Sequence, residues 1–254
     1  MQEPLFHKEE IPYFLEKTAV ESEKDLFDQS EEMVLNQTAL HLADEAWGSY
    51  PAQSVLDYFK AQVPSNPPSN MVEVGCGVGR MIGELAEDYP SAEAWGIDYS
   101  HQLLKRAKQL WVDGKTMHLD LSGKGLNSKL LLGKALNNLK FGLGKAEQLP
   151  FGDASQDLVM SSFLLDRLEE PEIALHEMFR VTKQGGQMML VSPLNFRKPK
   201  LWQALYPPGK IRAILMQMGF SILDWEENFM LFEPLDGRGN GILWKCLALT
   251  CQKS

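Results

Sequence analysis

Three alternating glycines, Gly75, Gly77 and Gly79, directly follow the short apolar run MVEV, which contains the acid Glu73. Because glycine tolerates positive φ angles and lacks a Cβ atom, this spacing predicts a tight turn whose backbone can approach a ligand closely. A helix beginning at Arg80 would add free N–H groups and a partial positive charge to that turn. The pattern indicates a ligand-binding turn between a strand and a helix, with a tight turn that binds nothing as the alternative.

A second acid, Asp98, ends the next apolar run, in the sequence WGIDYS. At the end of a second strand, such an acid can accept both hydrogen bonds from a ribose diol. Glu73, two residues before the glycines, would repel a diphosphate but attract a ligand that carries an ammonium group. The two acids favour a nucleoside with a cationic tail. They argue, with the absence of the G-x-G-x-x-G spacing, against a nicotinamide-dependent oxidoreductase.

The elements that must position this turn follow a regular pattern. From residue 71, short apolar runs alternate with amphipathic stretches, which is typical of βαβ units in a parallel sheet. Strands are predicted over 71–74, 94–98, 140–143, 158–161 and 187–191, and helices over 80–88, 101–111 and 172–183, the last stopped by Gly185 and Gly186. From about residue 207, the pattern predicts a helix over 210–218 and two strands over 220–225 and 241–250, which can pair antiparallel.

Composition excludes several classes of protein. The chain has 254 residues and a formal net charge of −9, whereas general nucleic-acid binding needs a basic footprint. No apolar run approaches the roughly 20 residues of a membrane helix, and the first residues lack a signal-peptide pattern. The three cysteines show no metal-type spacing. We expect a cytoplasmic protein with reduced cysteines, no metal, no membrane span and no nucleic-acid partner; its oligomeric state is left open.

The stretch GKAEQLPFGDASQDLVMSSFLLDRLEEPEIALHEMFRVTKQGG resembles class I S-adenosylmethionine-dependent methyltransferases. It is most similar to the small-molecule branch that includes ubiquinone/menaquinone-type methyltransferases, and the resemblance covers about residues 71–191. It implies a Rossmann-like α/β fold, a doubly wound, mostly parallel seven-stranded sheet with an antiparallel C-terminal strand. It also implies an enzyme that transfers a methyl group from S-adenosylmethionine to a small organic acceptor by in-line displacement, with S-adenosylhomocysteine as product.

The resemblance also implies roles for individual residues. The methionine part and ribose of the cofactor would be bound by Glu73, Gly75, Cys76 and Gly77, and the ribose hydroxyls by Asp98. Tyr99 would pack on the adenine face, and the adenine edge would meet Ala146 and Glu147. The sulfonium would lie beside Ser161 and Phe163.

Two positions depart from the pattern of these relatives. Lys145 stands where an acid often accepts from the adenine amino group, and a lysine cannot accept. Asp166 and Arg167 stand where relatives often have two histidines. Asp166 is the weak catalytic candidate, although we interpret it more readily as an exposed acid at a helix entry. Cys76 is interpreted as a small buried filler, because the motif places no base beside it.

The chain is expected to divide at residue 70. Residues 1–70 are rich in acids and helix formers and end in the breaker cluster VPSNPPSN. We expect them to form a helical cap that serves as a lid on the acceptor site, and residues 71–254 to form the methyltransferase domain. A lysine-rich insertion is expected near 113–139, because that connection is too long for an ordinary loop; a sheet strand over 116–121 is the alternative.

Acceptor choice is expected to depend on residues 1–70 and on the loop after Val191, where the run FRKPK could contact an anionic acceptor or remain a solvated loop. His41, His118 and His176 are lone histidines and are not expected to be catalytic. A protein with the same fold that binds S-adenosylmethionine, or a partner, without catalysis is the alternative to the enzyme. A nicotinamide-dependent oxidoreductase is the less favoured one.

Overall fold

The computed structural model describes residues 1–18, 21–22 and 25–254. Its strands are β1 (Phe6–Lys8), β2 (Ile11–Tyr13), β3 (Asn70–Val74), β4 (Glu93–Asp98), β5 (Met117–Leu119), β6 (Lys129–Leu131), β7 (Leu139–Leu143), β8 (Gln156–Ser162), β9 (Thr182–Ser192), β10 (Phe220–Pro234) and β11 (Gly241–Lys253). Its α-helices are α1 (Leu26–Gln29), α2 (Glu31–Leu42), α3 (Asp44–Trp47), α4 (Gln53–Gln62), α5 (Arg80–Asp88), α6 (His101–Ala107), α7 (Pro171–Val181), α8 (Pro199–Leu205) and α9 (Gly209–Met218).

The main sheet has the strand order β1-β2-β7-β4-β3-β8-β9-β11-β10 within the described residues. Strands β7, β4, β3, β8 and β9 are parallel, and β11 lies antiparallel between β9 and β10. The predicted mostly parallel sheet with an antiparallel C-terminal strand is therefore confirmed. The later parallel strands lie on both sides of β3 in the sheet, with β4 and β7 on one side and β8 and β9 on the other. The turn after β3 therefore lies at the switch point where open α/β sheets bind ligands.

The hairpin β1–β2 adds two strands that the sequence did not predict. It joins the edge of the sheet where Tyr13 pairs parallel with Leu143, and the Phe14 amide donates to the Leu143 carbonyl at 2.9 Å. Both strands are only three residues long, and β2 contains Pro12, which is tolerated at an edge but weakens a strand pattern. Residues near the start of the chain therefore belong to the sheet.

The predicted boundary after α7 is wrong. The helix ends at Val181 and β9 begins at once at Thr182, so Gly185 and Gly186 lie inside a strand instead of stopping a helix. The Thr182 hydroxyl donates to the Met178 carbonyl at 2.6 Å, which closes the last helical turn without a glycine. Gly185 has a φ of +74°, and the register of β8 against β9 shifts at this point, as at a β-bulge.

The 113–139 segment forms a small antiparallel hairpin, β5–β6, outside the main sheet. The third strand of the parallel sheet in chain order is β7. The alternative, in which 116–121 forms a strand of that sheet, is therefore wrong. The helix predicted over 101–111 is α-helical only to Ala107 and continues as a π-helical turn, Lys108–Val112. That turn buries Trp111, whose indole N–H donates to the Val78 carbonyl at 3.1 Å.

The last two strands are much longer than predicted. The register of β11 against β9 covers only 247–252, whereas 241–246 of β11 pairs with β10 alone, so the hairpin continues past the edge of β9. We call this extension, residues 229–246, the hairpin arm. Its tip meets the 113–139 segment, since the Gly237 amide donates to the Lys124 carbonyl at 2.8 Å. The mixed sequence DWEENFMLFEP hid this extension, because it lacks a clean apolar alternation.

Gly83 in α5 offers a test of this packing. A Cβ atom there would lie 2.5 Å from the Trp111 ring, so Gly83→Ala should destabilise the protein by about 1–3 kcal/mol despite the better helix propensity of alanine. The measurement is urea unfolding followed by circular dichroism. Gly209→Ala is the matched control, because it also lies in a helix but has no atom within 4 Å of the added Cβ. Equal stability of the two variants would contradict the packing.

Candidate functional site

The glycine turn joins β3 to α5 at the carboxyl edge of the sheet. Gly75, Gly77 and Gly79 all have positive φ angles, of +76°, +53° and +76°. The amides of Gly75 and Cys76 both donate to the carbonyl of Ile97 in β4, at 2.7 and 3.1 Å. The turn is thus bonded to the neighbouring strand, and its conformation is one that other residues rarely adopt.

The three glycines differ in what surrounds them. A Cβ atom on Gly75 would lie 2.9 Å from Leu164, and one on Gly79 would lie 2.7 Å from the ring of Phe141. A Cβ atom on Gly77 would meet no atom within 4 Å. Packing therefore requires the outer two glycines, while Gly77 faces open space into which a ligand can fit.

Asp98 connects this turn to the next one. One carboxylate oxygen accepts from the Gly77 amide at 2.8 Å, and the other accepts from the Ser100 amide at 2.8 Å. Burial raises the pKa of Asp98, although these backbone donors oppose the shift. Each oxygen keeps a further lone pair, so the carboxylate can still accept the two hydroxyls of a ribose.

Glu73 is the second acid of the site, and its side chain is only 2% exposed. Its carboxyl accepts from the Ile82 amide at 3.0 Å. Burial, together with the nearby charge of Asp98, raises the pKa of Glu73 to about 8. At pH 7 the group is largely protonated, and a cation placed beside it would lower its pKa and drive out the proton.

Cys76 is buried between these two acids, as predicted. Burial raises the pKa of its thiol well above the usual value, and the charges of Asp98 and Glu73 act in the same direction. The thiol therefore stays neutral and packs as a small apolar group.

The residues predicted to contact adenine lie on two adjacent loops. Tyr99 follows Asp98, and its ring lies 4.3 Å from the ammonium of Lys17 and 5.6 Å from that of Lys145. Ala146 is buried and Glu147 is half-buried, directly after Lys145. The structure brings these residues to the same edge as Asp98, and it adds Lys17, which the sequence pattern did not indicate.

The two residues predicted beside the sulfonium have different surroundings. The Ser161 hydroxyl is buried and donates to the carbonyl of Val74 at 2.9 Å, so it connects β8 to the end of β3. Phe163 has a φ of +53°, which is uncommon for a residue other than glycine and indicates local strain. Its amide donates to the Val191 carbonyl at 2.8 Å, which fixes the aromatic residue at the strand end.

The interpretation of Asp166 as an exposed acid is wrong. Its side chain is 1% exposed, and its carboxylate accepts from the Ser192 hydroxyl at 3.0 Å. The short 3₁₀ turn Leu165–Arg167 directs it against the end of β9 instead of toward solvent. Its second oxygen has no hydrogen-bond partner among the described residues and lies 3.7 Å from the Arg167 guanidinium.

The structure joins Arg80, Asp44, Tyr50 and His41 at this edge, whereas the sequence indicated only Tyr50, as an aromatic residue of the expected cap. The Arg80 guanidinium forms a bidentate pair with Asp44 at 2.8 and 2.9 Å and lies 4.3 Å from the centre of the Tyr50 ring. The Tyr50 hydroxyl is 2.9 Å from Nδ1 of His41. Burial and then the charge of Arg80 lower the pKa of His41 to about 4, so the imidazole is neutral at pH 7.

No spacing in the sequence connects residues 41, 50 and 80, because they meet only through tertiary packing. The one available signal was position: Arg80 directly follows the last glycine of the turn, so whatever pairs with it must lie beside the turn.

Across the described part of the chain, no helix combines the length and apolar character that crossing a membrane requires. In the same residues, no group of three or more His, Cys, Asp or Glu side chains is arranged to hold a metal ion.

The fold and this site define a class I, Rossmann-like methyltransferase architecture. A structure described as a SAM-dependent methyltransferase from Aquifex aeolicus superimposes with a TM-score of 0.52. It is 16% identical, over 88% of this chain and 96% of that one. At that identity the likeness shows the fold.

The sequence profile of the family described as "Methyltransferase domain" matches residues 72–190, which therefore form a class I S-adenosylmethionine-dependent methyltransferase domain. For this domain the predicted family and its cofactor, S-adenosylmethionine with S-adenosylhomocysteine as product, are confirmed, and the match supports an enzyme.

Two curated relatives are informative. The ajmaline N-methyltransferase of Rauvolfia serpentina is 28% identical over 168 residues, 65% of this chain and 50% of the relative. The demethylmenaquinone methyltransferase of Paenarthrobacter aurescens is 40% identical over 79 residues, 30% of each chain. The chain spans half or less of the length of each of these two relatives.

Replacing Asp98 tests the ribose role. Asp98→Ala should weaken binding of S-adenosylhomocysteine by about 1–3 kcal/mol, roughly five- to 150-fold in Kd, because a charged hydrogen-bond acceptor is lost. The measurement is isothermal titration calorimetry. Asp157→Ala is the matched control, because Asp157 accepts from the Ser69 and Asn70 amides at the opposite end of β3. Unchanged affinity in Asp98→Ala would place the ribose elsewhere.

Glu73 should titrate when the cofactor binds. A cationic methionine tail lowers the pKa of Glu73 from about 8, so binding at pH 7 should release about one proton. Calorimetry in phosphate and in Tris measures this, since a released proton makes the apparent enthalpy depend on the buffer. The dependence should vanish in Glu73→Gln. A wild-type enthalpy that is equal in both buffers would mean that the tail does not lie beside Glu73.

Proposed function

We propose that this protein is an S-adenosylmethionine-dependent methyltransferase that acts on a small organic acceptor. The observation that carries the proposal is the arrangement around Gly77: an open turn between the buried carboxyl of Glu73 and the carboxylate of Asp98, whose oxygens keep lone pairs that could accept a diol. A nucleoside with a cationic tail complements all three features at once.

The protein's part in methyl transfer is alignment. The cofactor supplies a methyl group on a positively charged sulfur, and the displacement needs no covalent intermediate with the protein. Asp98 and the glycine turn would fix the donor, and the elements above the carboxyl edge would orient the acceptor and exclude water. A general base is needed only where the acceptor must lose a proton early.

Three segments above this edge are proposed to enclose the acceptor. Helices α2 and α3 reach the glycine turn through the pair of Arg80 with Asp44. The hairpin arm and the 113–139 segment meet at Gly237 and Lys124, and Leu231 of the arm shares a buried apolar cluster with Val34 of α2. We infer a small, largely apolar acceptor, in line with the molecules for which the two curated relatives are named.

The basic run after β9 gives little support for an anionic acceptor. Lys198 pairs with Glu169, and Lys200 lies 3.6 Å from Glu170, so two of its charges are already compensated. An acceptor carboxylate would have to compete with these acids. We therefore place acceptor choice in the apolar enclosure, with the charged loop at its rim.

If the acceptor needs a base, two candidates are available. Asp166 has one carboxylate oxygen without a hydrogen-bond partner among the described residues, but it is buried. His41 is half-buried and neutral at pH 7, and the Tyr50 hydroxyl holds its other ring nitrogen. We favour His41, because it lies beside the glycine turn on a helix that covers the acceptor space.

The alternative is a protein that binds the cofactor or a partner without catalysis. Lys145 keeps this hypothesis open, because it cannot accept a hydrogen bond from adenine and is instead paired with Glu21. A nicotinamide-dependent oxidoreductase is disfavoured by the buried acid Glu73, two residues before the glycine turn. The cytoplasmic location stays a prediction.

A radiolabel assay separates these functions. The protein should transfer tritium from methyl-labelled S-adenosylmethionine to at least one member of a panel of amines, quinols and phenols, while Asp98→Ala loses this activity in proportion to its affinity. Calorimetry should show binding of S-adenosylhomocysteine and none of NAD. Cofactor binding without transfer to any acceptor in a cell extract would favour the non-catalytic alternative. Binding of NAD alone would contradict the proposal.

The assay also tests the role of the N-terminal residues better than a truncation does. β2 lies in the main sheet, and α4 buries Val55, Leu56 and Phe59 in the core, so removing residues 1–70 would expose apolar surface. A single substitution at His41, which is half-buried, leaves those core side chains in place.

A further inference from the structure

Lys17 is largely buried and pairs with two carboxylates, which is unusual for a lysine. Its ammonium is bound to Asp25 at 2.7 Å and to Asp28 at 2.6 Å, and its side chain is only 8% exposed. Asp28 in turn accepts from the Ser100 hydroxyl at 3.1 Å and from the Gln102 amide at 3.2 Å. Lys17 is therefore fastened to the first turn of α6, directly after the proposed ribose and adenine residues.

The pKa of Asp28 indicates that its carboxylate binds Lys17 tightly. Burial alone would raise the pKa of Asp28, but the bonds from Lys17 and from α6 outweigh it and lower the pKa. A buried lysine between two carboxylates with these distances is costly to separate unless another partner replaces the lost contacts.

This ammonium covers the face of Tyr99, with 4.3 Å between Nζ and the ring centre. Stacked aromatic rings have centroids about 4.5–7 Å apart, so an adenine on this face would need the space that Lys17 fills. Tyr99 cannot bind both at once on the same face.

A second ion pair closes the adjoining space. Lys145 belongs to the loop that carries Ala146 and Glu147, and its ammonium pairs with Glu21 from the N-terminal segment. That pairing, with the bonds from Thr18, lowers the pKa of Glu21 to about 2. The Lys145 ammonium is also 5.6 Å from the Tyr99 ring, so this pair spans the space between Tyr99 and the Ala146 loop.

We propose that Lys17 and the adenine ring of S-adenosylmethionine compete for one face of Tyr99, so that the pairs of Lys17 with Asp25 and Asp28 form a gate on the cofactor site. This inference rests on the proposed function, which brings adenine to Tyr99. Cofactor binding then requires Lys17 to leave the ring. The apparent affinity is lowered by the fraction of molecules in which the gate is closed.

The test compares two lysines, Lys17 and Lys108, each of which pairs with two carboxylates. Lys108 is bound to Glu10 at 2.7 Å and to Asp113 at 2.6 Å, away from Tyr99. Lys17→Met should bind S-adenosylhomocysteine about five- to twentyfold more tightly than wild type, with faster association in stopped-flow measurements, whereas Lys108→Met should stay within about twofold. Unchanged or weaker binding in a folded Lys17→Met protein would overturn the proposal.

A second variant separates opening of the gate from a simple change of charge. Asp28→Asn weakens the hold on Lys17 but makes the site more positive. The gate predicts tighter binding of both S-adenosylmethionine and S-adenosylhomocysteine by this variant, whereas a charge effect alone predicts weaker binding of the cationic cofactor. This variant also serves if Lys17→Met does not fold, because Lys17 keeps its pair with Asp25.

A crystal structure with S-adenosylhomocysteine gives a direct result. Adenine on the Tyr99 ring with Lys17 displaced would support the gate, and adenine bound while Lys17 stays over that ring would overturn it. If neither wild type nor the variants bind S-adenosylhomocysteine, the proposed function fails together with the gate. If all bind it equally, only the gate fails.

Discussion

The carboxylate of Asp98 is the constraint on which the geometry of the site depends. It accepts from the Gly77 amide in one turn and from the Ser100 amide in the next, so a single charged group sets the separation of two loops. Because the Gly77 amide already donates to Asp98, it is not free to donate to a ligand. What the turn offers a ligand at Gly77 is open space. Burying this acid is unfavourable by itself, and the two backbone donors are what make it tolerable.

The N-terminal residues depend on the same frame. Arg80, at the start of α5, is bonded to Asp44, while Ser100 and Gln102, at the start of α6, are bonded to Asp28. The N-terminal segment is therefore attached to both helices that begin at the carboxyl edge of the sheet. Charged hydrogen bonds make these attachments, and α2 and α4 each also bury apolar side chains in the core.

The sequence predicted well where local chemistry decides the structure. The glycines, the acids at the strand ends and the alternation of apolar runs predicted the parallel sheet and the turn, because each depends on residues close together in the chain. Element ends were less predictable: α7 stops four residues before the first glycine, since Thr182 closes its last turn. Asp166 was misjudged because it is bonded to Ser192 at the end of β9, a contact between segments that are distant in the sequence. The contacts of Lys17, His41 and Arg80 join distant segments, and no periodicity reports such contacts.

The hairpin arm has a mechanical consequence. It is a continuous extension of β10 and β11, whose backbones are paired along its length, and β11 is hydrogen-bonded to β9 where the arm leaves the main sheet, so the arm is stiffer than a loop. If the proposed enclosure holds the acceptor, the wall formed by the arm is the stiffer one. The opposite wall is attached by side-chain contacts, so the N-terminal side would be the easier route for molecules to enter and leave. The stiff wall would then select acceptors by shape, and the movable wall would set how fast the site exchanges its contents.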